Sequence, residues 1–205
     1  MMNLQLPPHY CKTDVIGNCM TNSILITLLT IIICISVFYF LTLRKEKPKS
    51  LKKMYNCFDI ADYLLKKAKE EGEGIDPMKL LKLTYIAHGY NLGFFDKPLF
   101  SNQVQAWKYG SVIPDLYHVI KRFGNGYVDK DTVSLYKEKN VDGDQKKLLD
   151  FVWNAYKPLS GLQLSELTHQ KDTPWEKTYK SYDDTISNDL IKEYYKSLIA
   201  EKRGN

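Results

Sequence analysis

The residues of this chain with the most reactive side chains are four histidines and four cysteines. The cysteines form no C-x-x-C pair and have no companion histidines at zinc spacing. His88, His118, His169 and Cys57 make no local motif that joins a nucleophile to a base. The chain also lacks G-x-S-x-G, H-E-x-x-H, S-x-x-K and a Gly-rich phosphate loop. The sequence therefore predicts no catalytic residue and no metal site.

Two of the histidines have different expected roles. His88 falls on the apolar stripe of a central helix, which favours a hydrogen-bonded core histidine over a general base. His169 falls with Lys171 in a polar loop between two capped helices, where functional residues are common. A structural alternative is that His169 bonds a carbonyl and stabilises the turn from Asp172 to Trp175.

Aromatic residues also cluster near predicted loops and helix starts. Such residues are often partly buried core, yet Trp and Tyr are also the residues that anchor protein interfaces. Both interpretations stay open for this set, which comprises Trp107, Tyr109, Tyr117 and Trp175.

The element that must position these residues is a helix beginning after Asp76. Asp76 suits the N-cap and Pro77 suits the first helical position, where a missing N–H has no cost. Apolar residues follow on more than one face, as in a helix at the centre of a core. Gly89 predicts a closely crossing helix, and Gly93 is the predicted end.

The remaining pattern predicts a mainly α, single globular domain of about six helices around one core. Valine, leucine and tyrosine around a polar turn predict one small β-hairpin over residues 126–137, the only convincing β structure. Other predicted helices cover about residues 59–72, 114–123, 144–158 and 160–168. Two more follow, one capped at its start by Thr173 and a last one after Ser187.

A long apolar run precedes this domain. Residues 24–43 are uncharged, and about 20 residues at 1.5 Å each can cross a hydrocarbon layer of roughly 30 Å. Arg44 and three lysines follow the run whereas only Lys12 precedes it. The run therefore predicts one N-terminal transmembrane helix in a single-pass membrane protein with a cytoplasmic C-terminal side. A cleaved signal peptide competes, but its charge order would be reversed.

The predicted organisation is an N-terminal segment of residues 1–23, the transmembrane helix of residues 24–43, a basic linker of residues 44–53 and a domain of residues 54–205. A second interpretation is that translation starts at Met54. The protein would then be cytoplasmic, and the preceding residues would be an extension from an early start codon.

Composition is that of an ordinary globular protein, with 44% hydrophobic and 26% charged residues. A net charge of +5 would by itself suggest a nucleic-acid partner, so the position of the charges along the chain matters. Residues 1–50 hold five Lys/Arg and two Asp/Glu, which leaves 24 basic and 22 acidic residues beyond them. Because these lysines alternate with acidic residues, the pattern indicates solvated helix faces and argues against a nucleic-acid partner.

Several spaced motifs follow one another along this chain. They are Lys82-Leu83 with Tyr85, the turn of residues 97–100, Ala106-Trp107, the loop of residues 109–114, Leu167-Thr168-His169 and Pro174-Trp175. In this order they resemble the SocA-like antitoxin, or Panacea, domain family over about residues 55–200. One departure is visible, since the family loop usually reads Gly-Pro-Val and this chain has Ser111 in the middle.

The resemblance implies a non-catalytic antitoxin that binds a protein toxin, encoded by an adjacent gene, and neutralises it directly or as an adaptor to a protease. It also implies that no cofactor is needed. The alternative is a membrane-anchored interaction or phage-defence module without a cognate toxin, and a third is an unrecognised hydrolase.

The predicted partner-binding surface consists of two loops, the first of residues 108–114 and the second of residues 169–175. Each ends in a proline that begins a helix, and each combines an aromatic residue with a basic one. We expect them to lie on one face; the structural alternative is that Trp107 and Trp175 hold the domain together while the loops are bystanders. The predicted partner-binding residues are Trp107, Lys108, Tyr109, Gly110, Pro114, Tyr117, His169, Lys171, Pro174 and Trp175.

Overall fold

A computed structural model describes residues 31, 33–37, 54–181 and 184–204, and its central element is the helix α3, Pro77–Phe95. The Asp76 carboxylate caps α3 by accepting a hydrogen bond of 2.9 Å from the Lys79 amide. All residues of α3 except Met78, Gly93 and Phe95 are buried. A helix apolar on every face is thereby enclosed by its neighbours.

The helices around α3 confirm the prediction of a mainly helical domain. The helix α3 packs against α9, α7, α6 and α2, and α2 also contacts α6. The bounds are α1 (described residues 31 and 33–37), α2 Cys57–Glu70, α4 Pro114–Ile120, a 3-10 turn Lys121–Phe123, α5 Lys130–Ser134, α6 Gly143–Tyr156, α7 Gly161–Thr168, α8 Pro174–Lys180 and α9 Asn188–Gly204.

The close helix crossing predicted at Gly89 is confirmed. A Cβ placed on Gly89 would lie 2.1 Å from the Tyr195 ring of α9. Because no side chain fits there, glycine lets α9 approach the backbone of α3. Gly93 does not end the helix as predicted, because it continues the same contact against Ile199. The last residue of α3 is Phe95, and Asp96 is its C-cap with φ 57°.

The predicted β-hairpin is in the wrong place. Residues 130–134 form α5, because the Asp129 carboxylate accepts a hydrogen bond of 3.2 Å from the Thr132 amide and so caps a helix. The two-stranded antiparallel sheet lies earlier in the chain, between β1, Gln105–Trp107, and β2, Gly110–Val112. Trp107 pairs with Gly110, which leaves a two-residue turn of Lys108 and Tyr109.

The predicted transmembrane helix is also wrong. Across the described ranges, no helix is long and apolar enough to cross a membrane. Most of residues 24–43 lies outside those ranges, but Ile33 and Val37 of α1 are buried in the hydrophobic core of the domain. The predictions of a single-pass topology, a membrane partner and a membrane localisation are corrected with it. Residues 1–23 and 44–53 lie outside the described ranges, and the domain boundaries stay predictions.

Candidate functional site

The two predicted loops meet in the structure. The indole Nε1 of Trp175, in the first turn of α8, donates a hydrogen bond of 2.8 Å to the main-chain oxygen of Trp107 in β1. Pro114 and Pro174 occupy the first positions of α4 and α8, as predicted. The helix α8 therefore holds the second loop against the β-hairpin.

A buried lysine lies beneath the hairpin turn. The Nζ of Lys82, on α3, donates hydrogen bonds of 3.1 Å to the main-chain oxygen of Tyr109 and 2.9 Å to that of Ser111. Lys82 is 2% exposed, and within the described ranges no carboxylate forms an ion pair with it. Burial lowers the pKa of Lys82 to about 7. A neutral amine keeps two N–H groups, which match the two carbonyl acceptors.

Gly110 allows the hairpin to lie directly on this lysine. Its φ is +107°, in a region that side chains rarely adopt, and a Cβ there would lie 2.2 Å from the Lys82 Nζ. The same Cβ would lie 2.7 Å from the Cε1 atom of His169. Lys82 and His169 therefore both crowd against Gly110, and the close approach requires glycine.

His169 contributes packing and a main-chain contact. Its Nδ1 lies 2.5 Å from the main-chain oxygen of Ser165, and its ring centroid lies 3.9 Å from that of Trp175. The Ser165 hydroxyl donates a hydrogen bond of 3.1 Å to the Tyr109 oxygen. An Nδ1–H donor fits the Ser165 carbonyl, so the geometry matches the structural alternative for this histidine.

Three of the predicted residues present their side chains to solvent. Tyr109 is 68% exposed, and Lys108 and Lys171 are also exposed. The Lys108 Nζ lies 5.3 Å from the centroid of the Tyr109 ring, a cation–π distance. We call the exposed side chains of Lys108, Tyr109 and Lys171 the recognition surface, after the partner-binding role predicted for them.

The other predicted residues support this surface from within. Trp107 and Tyr117 are half-buried, with ring centroids 5.0 Å apart in an edge-to-face arrangement. Gly110 and Pro174 are buried, and Pro114 is half-buried. These positions hold the loops and leave little side-chain area for a partner.

Sequence reasoning missed Lys82 and Ser165 as parts of this site. A signal for Lys82 was present, because a lysine between Leu81 and Leu83 in a helix that is apolar all round must be buried or must snorkel. Ser165 gave no comparable signal, since serine is ordinary in a short helix. In the part of the chain that the structure describes, no group of His, Cys, Asp and Glu could hold a metal ion.

The residues that match a known protein family include this site. The model of a family described as "Antitoxin SocA-like, Panacea domain" matches residues 80–176. That range includes Lys82, the β-hairpin and Trp175. The predicted resemblance to the SocA-like Panacea family is thereby confirmed over these residues.

A curated relative is named Antitoxin SocA, from Caulobacter vibrioides. It is 30% identical to this chain over 125 residues, which cover 57% of this chain and 66% of the relative. The match thus spans just under two thirds of the relative's length. No solved structure gives a significant match.

Proposed function

We propose that this protein is an antitoxin-like, non-catalytic binding protein, and that its recognition surface contacts a protein toxin. The similarity to a protein named Antitoxin SocA supports the role. The geometry of the hairpin turn supports the location. The toxin is the product of an adjacent gene, and no cofactor takes part.

One observation carries the choice of surface: three main-chain oxygens of the hairpin are held by side chains from other helices. The Trp107 oxygen accepts from Trp175, the Tyr109 oxygen accepts from both Lys82 and Ser165, and the Ser111 oxygen accepts from Lys82. The turn backbone is therefore fixed before binding. The Tyr109 side chain remains exposed on it.

A fixed, exposed aromatic residue suits a protein interface. Little backbone entropy is lost when a partner binds a preorganised turn, and tyrosine buries a large area with few rotatable bonds. The neighbouring Lys108 adds positive charge, which favours acidic side chains on the toxin. Neutralisation follows either from occlusion of the toxin or from its delivery to a protease.

The test is co-expression of this protein with the toxin that the adjacent gene encodes. The wild-type chain should rescue growth, and the Lys108→Ala/Tyr109→Ala variant should rescue it poorly. Tyr127→Ala is the matched control, because Tyr127 is 71% exposed but lies against Gly74 outside the recognition surface. Faster turnover of the toxin in the presence of the antitoxin would indicate protease delivery, and unchanged turnover would indicate occlusion.

Two outcomes would contradict the proposal. Full rescue by the Lys108→Ala/Tyr109→Ala variant would place the binding surface elsewhere. An adjacent gene whose product is harmless would instead favour an interaction or phage-defence module without a toxin.

A further inference from the structure

A second feature lies apart from the recognition surface: a largely apolar cavity of about 360 Å³ between α3, α7 and α9. Its walls include Tyr85 and Ile86 of α3, Leu167 of α7, and Tyr194 and Leu198 of α9. We call this space the α3–α9 groove. A space of this size beside three helices can accept large aliphatic side chains.

The helix α1 of the same chain reaches this groove. Ile33 lines it and is 7% exposed, and Val37, one helical turn later, is 1% exposed. On the opposite side of α1, Ile31 and Ile35 are 53% and 63% exposed. Residues four apart share a face of a helix, so one aliphatic face of α1 is buried and the other is open.

The thiol between these two faces also lies close to the core. Burial is the main cause that raises the pKa of Tyr90 well above its usual value, and the nearby Cys34 of α1 contributes to the same shift. The Tyr90 hydroxyl forms a hydrogen bond of 2.8 Å with that of Tyr156, a residue of the groove wall. The side chain of Cys34 is half-buried.

We propose that the α3–α9 groove is a helix-binding site and that α1 is its intramolecular ligand, docked with Ile33 in the groove and with Val37 buried one helical turn later. The occupant is defined by aliphatic residues at positions i and i+4 of a helix, as in other helix-in-groove complexes. The cavity that remains beside Ile33 means that α1 leaves the groove partly unfilled. Such a contact can open and close while the rest of the domain stays folded.

The inference does not rest on the proposed function. The groove wall does include Gln170, Thr173 and Pro174, which belong to the second loop. The residues of the recognition surface are not among those that line it.

Alkylation of Cys34 by N-ethylmaleimide, followed by mass spectrometry of the full-length protein, tests this inference. Cys57, which is fully buried in α2, is an internal control for folding. We expect Ile33→Asp/Val37→Asp to increase the alkylation rate of Cys34 at least about tenfold, because opening exposes the thiol. Leu198→Asp, in the groove wall, should also increase it. Cys57 should remain unreactive in both variants.

The matched control is Ile31→Asp/Ile35→Asp, which makes the same chemical change on the exposed face. It should leave the Cys34 rate within about twofold of wild type. Equal rates in the two double variants would overturn the proposal. So would simultaneous reaction of Cys34 and Cys57, because α1 would then be an inseparable part of the core and not a docked ligand.

Discussion

The indole of Trp175 and the main-chain oxygen of Trp107 are joined by a hydrogen bond of 2.8 Å across 68 residues of sequence. This bond connects the first turn of α8 to the end of β1. The Trp175 ring also stacks on Tyr179, with centroids 4.9 Å apart. One side chain therefore fixes the second loop and the hairpin relative to each other.

Trp175→Phe should loosen the hairpin while keeping most of the aromatic packing. Loss of the N–H leaves the Trp107 oxygen without this donor, and we expect the free energy of unfolding to fall by about 1 kcal/mol. Hydrogen exchange at the amide of Gly110, which pairs with Trp107 across the hairpin, should become faster. Trp107→Phe is the control, since its Nε1 bonds Gln105 within the same strand. Equal exchange in both variants would contradict the account.

Lys82→Met should change how stability depends on pH. The lysine has its usual pKa of about 10.5 when unfolded and about 7 when folded. Between these values the unfolded chain binds more protons, so wild-type stability rises with pH over this window. The cost of burying the charge is fully present below about pH 7 and absent above about pH 10.5.

Denaturant unfolding of both proteins from pH 6 to pH 10.5 measures this effect. The difference in unfolding free energy, wild type minus Lys82→Met, should increase with pH by an amount on the order of a few kcal/mol. The comparison removes the contributions of groups that both proteins share. A difference that stays constant across the window would show that Lys82 is not appreciably deprotonated in the folded state.

Gly89→Ala should be strongly destabilising. The added Cβ would overlap the buried Tyr195 ring, so α9 must shift away from α3 at a cost of about 2–3 kcal/mol or more. Gly72→Ala is a useful comparison, because its φ is +74° but its surroundings are open. We expect about 1 kcal/mol there from backbone strain alone. Similar melting temperatures for the two variants would argue against a tight crossing.

Ser111→Ala should make the protein slightly more stable. The Ser111 side chain is fully buried, and its Oγ has no hydrogen-bond partner among the residues that the structure describes. Removing an unpaired buried hydroxyl should raise the free energy of unfolding by up to about 1 kcal/mol. The Lys82 contact uses the main-chain oxygen of residue 111 and should persist. A lower melting temperature would mean that the hydroxyl has a stabilising role.

Local signals made several helices predictable. Asp76 with Pro77 marks the start of α3, and Ser160 with Gln163 forms a capping box at the start of α7. Thr173 caps α8 as predicted, but Glu176 accepts from the Asp172 amide and does not complete a capping box. Caps depend on residues three or four apart, so the sequence alone contains most of the information.

The position of the hairpin and the location of the apolar run both depend on contacts between residues distant in sequence. Each strand has three residues, too few for a recognisable alternation, and the hairpin carbonyls are held by Lys82 and Trp175 from distant helices. In the N-terminal run, aliphatic residues suit a membrane and a protein core equally well. Only the fold shows that Ile33 and Val37 lie in the core.

The two loops of the candidate site were predictable from the sequence, but the lysine beneath them was not. The pairing of the two loops followed from their prolines and aromatics, and the structure brings the loops together. The supporting role of Lys82 could not be located, because it depends on where the hairpin folds over α3. His169 lies at the same junction, and its contacts are with Ser165 and Trp175.

The most direct test of the recognition surface compares binding with stability for Tyr109→Ala. Affinity for the toxin from the adjacent gene is measured by isothermal titration calorimetry, and stability by thermal unfolding, with Tyr127→Ala as the control. We expect Tyr109→Ala to weaken binding by more than about 1 kcal/mol with almost no change in melting temperature. Unchanged affinity, or an equal loss in Tyr127→Ala, would contradict the assignment of this surface.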